Sequence, residues 1–220
     1  MRIEEFRQAF QAEKVSRFYS GTLHIAWTFG VGAAAIIYCI VHLSGIKPFE
    51  WFIIPLTFFY ANVVEYFAHR GPMHHFTRAL RIVFEDHSIN HHRYFTNEKM
   101  ELHALRDVAI ILFPPVMLVL FFGVFAFPVA ILLDWLISAN AGYLFFATAT
   151  GYYLNYELFH LAYHLPENSW TGRLPFMKTL RQNHTRHHDL QRMSTQYFNI
   201  TYPICDRIFG TLGAKRCERP

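Results

Sequence analysis

Histidine is the residue type that this chain offers most clearly for chemistry. Fourteen of its 220 residues are histidines, and ten of these fall into four tight clusters: His69-x4-His74, His87-x3-His91-His92, His160-x3-His164 and His184-x2-His187-His188. Imidazole is the commonest metal ligand in proteins, whereas ten crowded imidazoles without metal would repel one another when protonated and would cost desolvation when buried. The spacing therefore predicts a metal centre with these ten histidines as its ligands.

The number of ligands predicts two metal ions. A structural zinc ion usually has four ligands, often including cysteine, so ten histidines are too many for one closed tetrahedral site. Shared between two ions, they supply about five ligands each and leave an open position at a six-coordinate metal such as iron. We therefore expect two iron ions, which zinc could replace in purified samples. The three cysteines (Cys39, Cys205 and Cys217) form no CxxC motif, and they indicate a reducing compartment.

The remaining polar residues near the clusters have supporting roles in this interpretation. We expect three carboxylates to accept the free N–H groups of the ligand rings, namely Glu65, Glu157 and Asp189. His24 and His42 lie near the ends of an apolar stretch, where a hydrogen bond is their ordinary use. Two further histidines, His75 and His103, are left open as metal ligands, and among the ten clustered histidines the sequence leaves His87 open as a direct ligand.

The elements that must position these residues are membrane helices. The chain is 53% hydrophobic and only 16% charged, which is too apolar for an ordinary soluble domain. Four stretches are each long enough to cross a bilayer: Thr22 to Leu43, Trp51 to Ala68, Val108 to Phe127, and Val129 to Tyr153. We expect an all-α integral membrane protein with four transmembrane helices in two hairpins, which turn at residues 44–48 and near residues 123–128.

The positive charges predict which side of the membrane carries the clusters. Of the twenty lysines and arginines, only Lys47 lies between paired spans, and the others precede, separate or follow the two hairpins. By the positive-inside rule, the histidine segments form a helical cap on the cytoplasmic face of a bacterial inner membrane or the endoplasmic reticulum. The expected single domain comprises an N-terminal segment 1–20, a hairpin 22–68, a histidine segment 69–107, a hairpin 108–153, and a histidine segment with the tail 154–220.

Local breaks and helical spacing predict how ligands converge. Gly71-Pro72 should end the second span, so that His74 folds back toward His69. His87 and His91 are four residues apart, as are His160 and His164, so each pair should share one face of a helix. These features include no nucleic-acid motif, and we expect no signal peptide.

At this point the motifs resemble a known family. HRGPMHH, HSINHH, HLAYH and HTRHH, together with the stretch from Phe198 to Thr211, resemble the fatty acid hydroxylase and sterol desaturase superfamily of membrane di-iron oxygenases. The resemblance covers roughly residues 65–213 and includes the order, spacing and topology of the clusters. One departure lies in the second cluster, where the family usually has His-x2-His-His and this chain has His87-x3-His91-His92.

The resemblance implies an oxidoreductase of lipid metabolism, such as fatty acid biosynthesis. Such an enzyme activates O2 at two irons, abstracts hydrogen from an unactivated C–H bond and returns hydroxyl. A fatty acyl chain is the expected substrate, with a carotenoid or a sterol as alternatives. The chain has no dinucleotide, haem or iron–sulfur motif, so electrons must come from a separate donor, either a cytochrome b5-like protein or a ferredoxin with its reductase.

Two other functions use the same residues. A lipid desaturase would have the same metal site and would differ only in removing a second hydrogen. A metal-transporting or metal-sensing membrane protein would instead place its ligands at mid-membrane depth, whereas the clusters lie at the ends of the spans and beyond them. The sequence therefore favours an oxygenase over a carrier.

Overall fold

The protein is all-helical over the part of the chain that is described. The structure is a computed structural model, and it describes residues 2–213. Ten α-helices follow one another: α1 (Ile3–Glu13), α2 (Gly21–His42), α3 (Ile53–Ala68), α4 (Arg81–Phe84), α5 (His92–Tyr94), α6 (Pro115–Leu120), α7 (Phe127–Leu136), α8 (Ala139–His164), α9 (Pro175–His187) and α10 (Ile204–Ile208). Among the described residues, an isolated bridge between Thr96 and Lys99 is all that resembles a strand.

Shorter helical segments of other types join several of these helices. Two 3-10 helices, Pro48–Phe52 and Leu105–Ile110, precede α3 and α6. Three π-helical segments extend or connect α-helices without a break, and they are His69–Met73, Glu85–His91 and Phe121–Ala126. Two of the three π segments carry histidines of the clusters.

Three helical runs are long and apolar enough to cross a membrane. They are Gly21–His42, Pro48–Met73 and Leu105–Leu136, the last with 32 residues. The first two agree with the predicted spans to within a few residues. These runs support a membrane protein. Residues 2–213 contain three candidate spans, whereas the sequence predicts four.

The predicted turn of the second hairpin is wrong. Residues 123–128 lie inside a continuous helical run, because the π segment Phe121–Ala126 leads directly into α7. Pro128 falls in the first turn of α7, where its missing N–H costs little, so the proline does not interrupt the run. The chain turns instead at Ile137-Ser138, and Ala139 begins the next helix.

Contacts divide the chain into two units. One, here called the membrane unit, comprises residues 7–61 and 102–161; the other, here called the histidine unit, comprises residues 62–101 and 162–213 with a short N-terminal piece. Within the membrane unit α2 and α8 pack closely, since a Cβ at Gly32 would lie 2.7 Å from Leu154. Within the histidine unit Tyr66, Phe198 and Cys205 form a buried cluster, and the Phe198 ring contacts the rings of His69 and His187.

Candidate metal centre

A π-helical turn brings the first two histidines together. The sequence predicts that the second span ends at Gly71-Pro72. In the structure α3 instead continues into the π segment His69–Met73, and Pro72 lies inside that segment. Residues five apart stand one above the other in a π turn, because its hydrogen bonds join residues i and i+5. The Nε2 atoms of His69 and His74 lie 3.1 Å apart. The wider π turn therefore brings His74 close to His69, which the sequence predicts from a break in the helix.

The second cluster uses a π turn in the same way. On an α-helix His87 and His91 would aim at one point, but they lie on the π segment Glu85–His91. The residue that meets His87 is instead His92, five positions later, and their Nε2 atoms are 3.3 Å apart. His91 turns toward His188, with 3.2 Å between the Nε2 atoms. The extra residue in this cluster is thus accommodated by the wider turn.

The histidine unit contains two separate groups of imidazoles. All members of both groups are buried, and within each group the candidate ligand atoms lie within 4.8 Å of one another. The first group consists of His69, His74, His87, His92 and His187. In the histidine unit, the second group consists of His91, His164, His184 and His188. Each group has enough nitrogen ligands to hold a metal ion.

Two of the three His-His dipeptides, His91-His92 and His187-His188, contribute one residue to each group. Successive side chains on an α-helix point about 100° apart, so adjacent residues cannot aim at the same point. His92 and His187 belong to the first group, and their neighbours His91 and His188 belong to the second. A dipeptide placed between two ions can therefore serve both.

His160 lies on α8 one turn before His164. The two side chains project from the same face of the helix, as predicted from their spacing. His160 is buried and falls within the membrane unit.

Backbone carbonyls determine which ring nitrogens carry hydrogen. A carbonyl oxygen only accepts, so an Nδ1 atom directed at one must donate, and the Nε2 atom of the same neutral ring then presents a lone pair. Four rings have this partner: His69 with Phe198 O (2.5 Å), His187 with Gln196 O (3.0 Å), His164 with Met100 O (2.7 Å) and His188 with Phe95 O (2.7 Å). Two of these rings belong to each group.

Ser88 gives His74 the same orientation through a side chain. The Ser88 hydroxyl donates to Met73 O at 2.6 Å, which uses its one hydrogen. The Oγ atom can therefore only accept from His74 Nδ1, 2.9 Å away. The Nε2 atom of His74 consequently presents a lone pair, as in His69 and His187.

The lone pairs of these rings point at one another. His74 Nε2 lies 3.1 Å from His69 Nε2 and 2.9 Å from His187 Nε2, and none of the three carries hydrogen at that atom. These contacts are repulsive unless a cation lies between them. Two imidazole nitrogens bound to one ion at about 2.1 Å, at octahedral or tetrahedral angles, are about 3.0–3.4 Å apart. The donor set therefore fits a metal ion in both chemistry and spacing.

Burial keeps the rings in the form that binds metal. Desolvation, followed by the influence of neighbouring imidazoles, lowers the pKa of His74 and places the pKa values of His87, His92 and His187 well below the ordinary range. These rings are therefore neutral near pH 7, and a neutral imidazole is the ligand form.

Ser88 provides a test of ring orientation. In Ser88→Ala, His74 Nδ1 loses its acceptor and the ring can adopt the other tautomer, so metal affinity is expected to fall by about tenfold at one of two sites. Metal content after dialysis against graded chelator would measure this. The control is Ser44→Ala, an exposed serine that precedes the first ligand, His69, by 25 residues; equal metal loss in both variants would contradict the role of Ser88.

With this geometry established, comparisons with known proteins identify the family. The model of the fatty acid hydroxylase family matches residues 54–211, which include all four histidine clusters. The chain belongs to the fatty acid hydroxylase family. Among curated proteins no match was found.

One solved structure has a similar fold. It is described as full-length scs7p with only the hydroxylase domain visible, and it shares 24% identity with this chain. The TM-score is 0.57, and the match covers 86% of this chain and 66% of that one. At this identity the similarity concerns the fold, and family membership supports an enzyme of the hydroxylase class.

Hydrogen bonds or ion pairs are described for each of the three carboxylates that the sequence places beside the ligand rings. Glu65 accepts from the backbone N–H and the hydroxyl of Thr201, at 2.9 and 2.6 Å. Glu157 accepts from the backbone N–H of Phe113 at 3.1 Å. Asp189 is partly exposed, and it pairs with Arg192 and accepts from Gln191 N–H. The ring acceptors that the structure shows, carbonyl oxygens and Ser88, carry no sequence signal and were missed.

The tail segment, residues 196–211, supports the first group from the C-terminal side. Tyr197 lies between the two carbonyls that accept from His187 and His69, and its φ of 60° is in the left-handed region. Asp206 holds this turn, because it accepts from the backbone N–H groups of Phe198 (3.0 Å) and Asn199 (2.8 Å). Burial raises the pKa of Asp206. The family-like tail motif therefore has a structural role at the metal centre.

The four other histidines lie outside the two groups. His75 is exposed, and its Nδ1 lies 2.5 Å from Arg70 O. His103 contacts Arg7 at 2.8 Å within the membrane unit. His24 bonds Tyr19 and Phe113 O, and His42 bonds Tyr38 O, so both serve the span-end role that the sequence predicts.

Proposed function

We propose that this chain is an O2-dependent, membrane-bound di-iron oxygenase that hydroxylates an unactivated C–H bond of a lipid, most simply a fatty acyl chain. Membership of the fatty acid hydroxylase family supports the hydroxylase class. The observation that carries the metal centre is the set of Nε2 lone pairs facing one another at 2.9–3.1 Å among His69, His74 and His187. A carotenoid or a sterol is the alternative substrate.

All ten clustered histidines would hold the two ions. The first group would supply five ligands and the second group four, and His160 is the tenth ligand that the sequence predicts. Two iron ions, when bound, would supply the activation of O2 and the oxidation of the C–H bond. Five imidazoles per ion leave about one position of a six-coordinate metal open for O2.

The chain's own contribution is to orient the ligands and to exclude water. Carbonyls and Ser88 fix the ring tautomers, so every oriented Nε2 atom is ready to bind before metal arrives. The rings are buried, with His92, His164, His187 and His188 fully so. A dry, neutral site suits an oxidant that must react with a C–H bond before water reaches it.

The location and the partner belong to the same proposal. The positive-inside distribution of lysine and arginine supports a cytoplasmic position for the histidine clusters. Because the chain has no redox motif of its own, a separate donor, a cytochrome b5-like protein or a ferredoxin with its reductase, would deliver the two electrons.

Isotope labelling tests the reaction. The protein, reconstituted with ferrous iron, donor and 18O2, is expected to place one 18O atom in the product of a labelled fatty acid or ceramide. A new double bond without label would instead establish a desaturase. If no lipid of a fatty acid, ceramide, sterol and carotenoid panel stimulated O2 consumption, the oxygenase would be excluded; movement of metal across vesicles would then support a carrier.

A further inference from the structure

The membrane unit contains a cavity that the histidine clusters do not line. A cavity of about 360 Å³ opens between α2, α7 and the first turns of α8. Its wall includes Gly142, which is eighteen residues before His160 on α8, or about 27 Å along a helix. The cavity is therefore remote from His160 along α8, and the proposed function does not explain it.

Small residues create the space. Ala35, Ala130 and Ala139 line the cavity together with Gly142. A Cβ at Gly142 would lie 2.7 Å from Ala130 O, so α7 and α8 approach closely beside the opening. The volume lies in the range of small-molecule sites, about 300–1,000 Å³.

The two ends of the cavity differ in chemistry. Cys39 and Phe146 are buried in its apolar part, near Phe122 and Phe127. The other end carries Asp134, whose neighbours in the sequence reach the turn at Ile137-Ser138 and so lie at headgroup depth. An apolar body with a polar end matches an amphiphile lying along a membrane helix.

The length of the cavity matches the thickness of one leaflet of the bilayer. Phe122 and Asp134 are twelve residues apart, or about 18 Å of helix. Half of the hydrocarbon core of a bilayer is about 15 Å. An acyl chain of a lipid in this leaflet can therefore extend from Asp134 to Phe122.

The polar end favours a cation. Among the described residues Asp134 forms no salt bridge, and it is exposed. Tyr38 and Tyr143 line the same cavity, with ring centroids 6.4 Å apart in an edge-to-face arrangement. A carboxylate beside aromatic rings is the usual arrangement that recognises an ammonium group. An anionic headgroup would place its charge beside Asp134 and would be repelled.

We propose that this cavity binds one bilayer phospholipid whose headgroup carries an ammonium group. The ammonium lies beside Asp134, Tyr38 and Tyr143, and one acyl chain fills the apolar part between Cys39 and Phe146. The bound lipid is a structural ligand of the membrane unit and is distinct from the substrate.

Native mass spectrometry of the full chain tests the proposal. The protein is released from nanodiscs that contain equal amounts of phosphatidylethanolamine and phosphatidylglycerol with identical acyl chains. One retained phosphatidylethanolamine is expected, preferred by about tenfold over phosphatidylglycerol. Equal retention of the two lipids, or no retained lipid, would overturn the proposal.

Three variants assign the site. Asp134→Asn is expected to abolish the preference between the two lipids, and Ala35→Phe, which fills the cavity, to remove retained lipid altogether. Ala34→Phe is the matched control, because Ala34 is exposed on the same helix and does not line the cavity. An unchanged lipid preference in Asp134→Asn would contradict the proposal. Because Asp134 is exposed, this variant tests the proposal even if Ala35→Phe fails to fold.

Discussion

His187→Ala and His188→Ala are expected to remove one metal ion each, from different sites. The two residues are adjacent, but His187 belongs to the first group and His188 to the second. Each variant should lose one ligand of one ion, so that metal content falls from about two ions per chain to about one, and hydroxylation falls by roughly 100-fold or more, the upper end of the effect of weakening a metal site.

Metal analysis combined with spectroscopy separates the two variants. If both ions are iron, each variant should retain one uncoupled iron, and the spectra of the two remaining irons should differ because their ligands differ. His75→Ala is the control, since this exposed histidine lies outside both groups and should retain two ions and full activity. Loss of both ions in both variants would show that the two groups form one inseparable site.

Asp206→Asn is expected to weaken the first group selectively. Asp206 accepts from Phe198 and Asn199 N–H groups and from the Thr211 hydroxyl, at 2.6–3.0 Å, and so holds the turn whose carbonyls orient His69 and His187. An amide in place of the carboxylate directs an NH2 group at one of these donors. Affinity for one ion should fall by about 10–100-fold, while the other ion is retained.

The metal affinity of the second group should not change in Asp206→Asn, because residues outside the tail segment orient its rings. His164 and His188 are oriented by Met100 O and Phe95 O, which lie outside the tail segment. Chelator titration of Asp206→Asn should therefore show one weakened and one unchanged site. Asp189→Asn is the matched control, since Asp189 is partly exposed and bonds Gln191 and Arg192. An equal weakening of both sites by Asp206→Asn would mean that the tail acts only on overall stability.

The sequence shows which residues could bind a metal ion, because imidazole chemistry is local to each residue. The four clusters, the helical class and the first two spans follow from composition and spacing alone. The pairing of ligands does not, since it depends on whether a turn is α or π, and a π segment such as Glu85–His91 differs from an α-helix only in hydrogen bonds that tertiary packing selects. That is why His87 converges with His92 and not with His91.

Two further features lie beyond the reach of sequence patterns. The acceptors of the ring N–H groups are mostly backbone carbonyls, which every residue possesses, so no residue type marks them. The sequence predicts too early an end for the third span because Gly123 and Pro128 are strong turn signals in soluble chains, whereas long apolar helices tolerate both residues. The actual turn, Ile137-Ser138, has neither glycine nor proline.

The facing lone pairs also link this protein's abundance to the metal supply of the cell. Crowding neutral imidazoles at about 3 Å costs free energy that only a bound cation recovers. A site filled at a metal concentration 100 times its dissociation constant adds about 2.7 kcal/mol to the stability of the folded unit. If the two ions are iron, as proposed, the chain would lose that contribution at both sites under iron starvation, and proteolysis of the unfolded chain would then limit the amount of active protein.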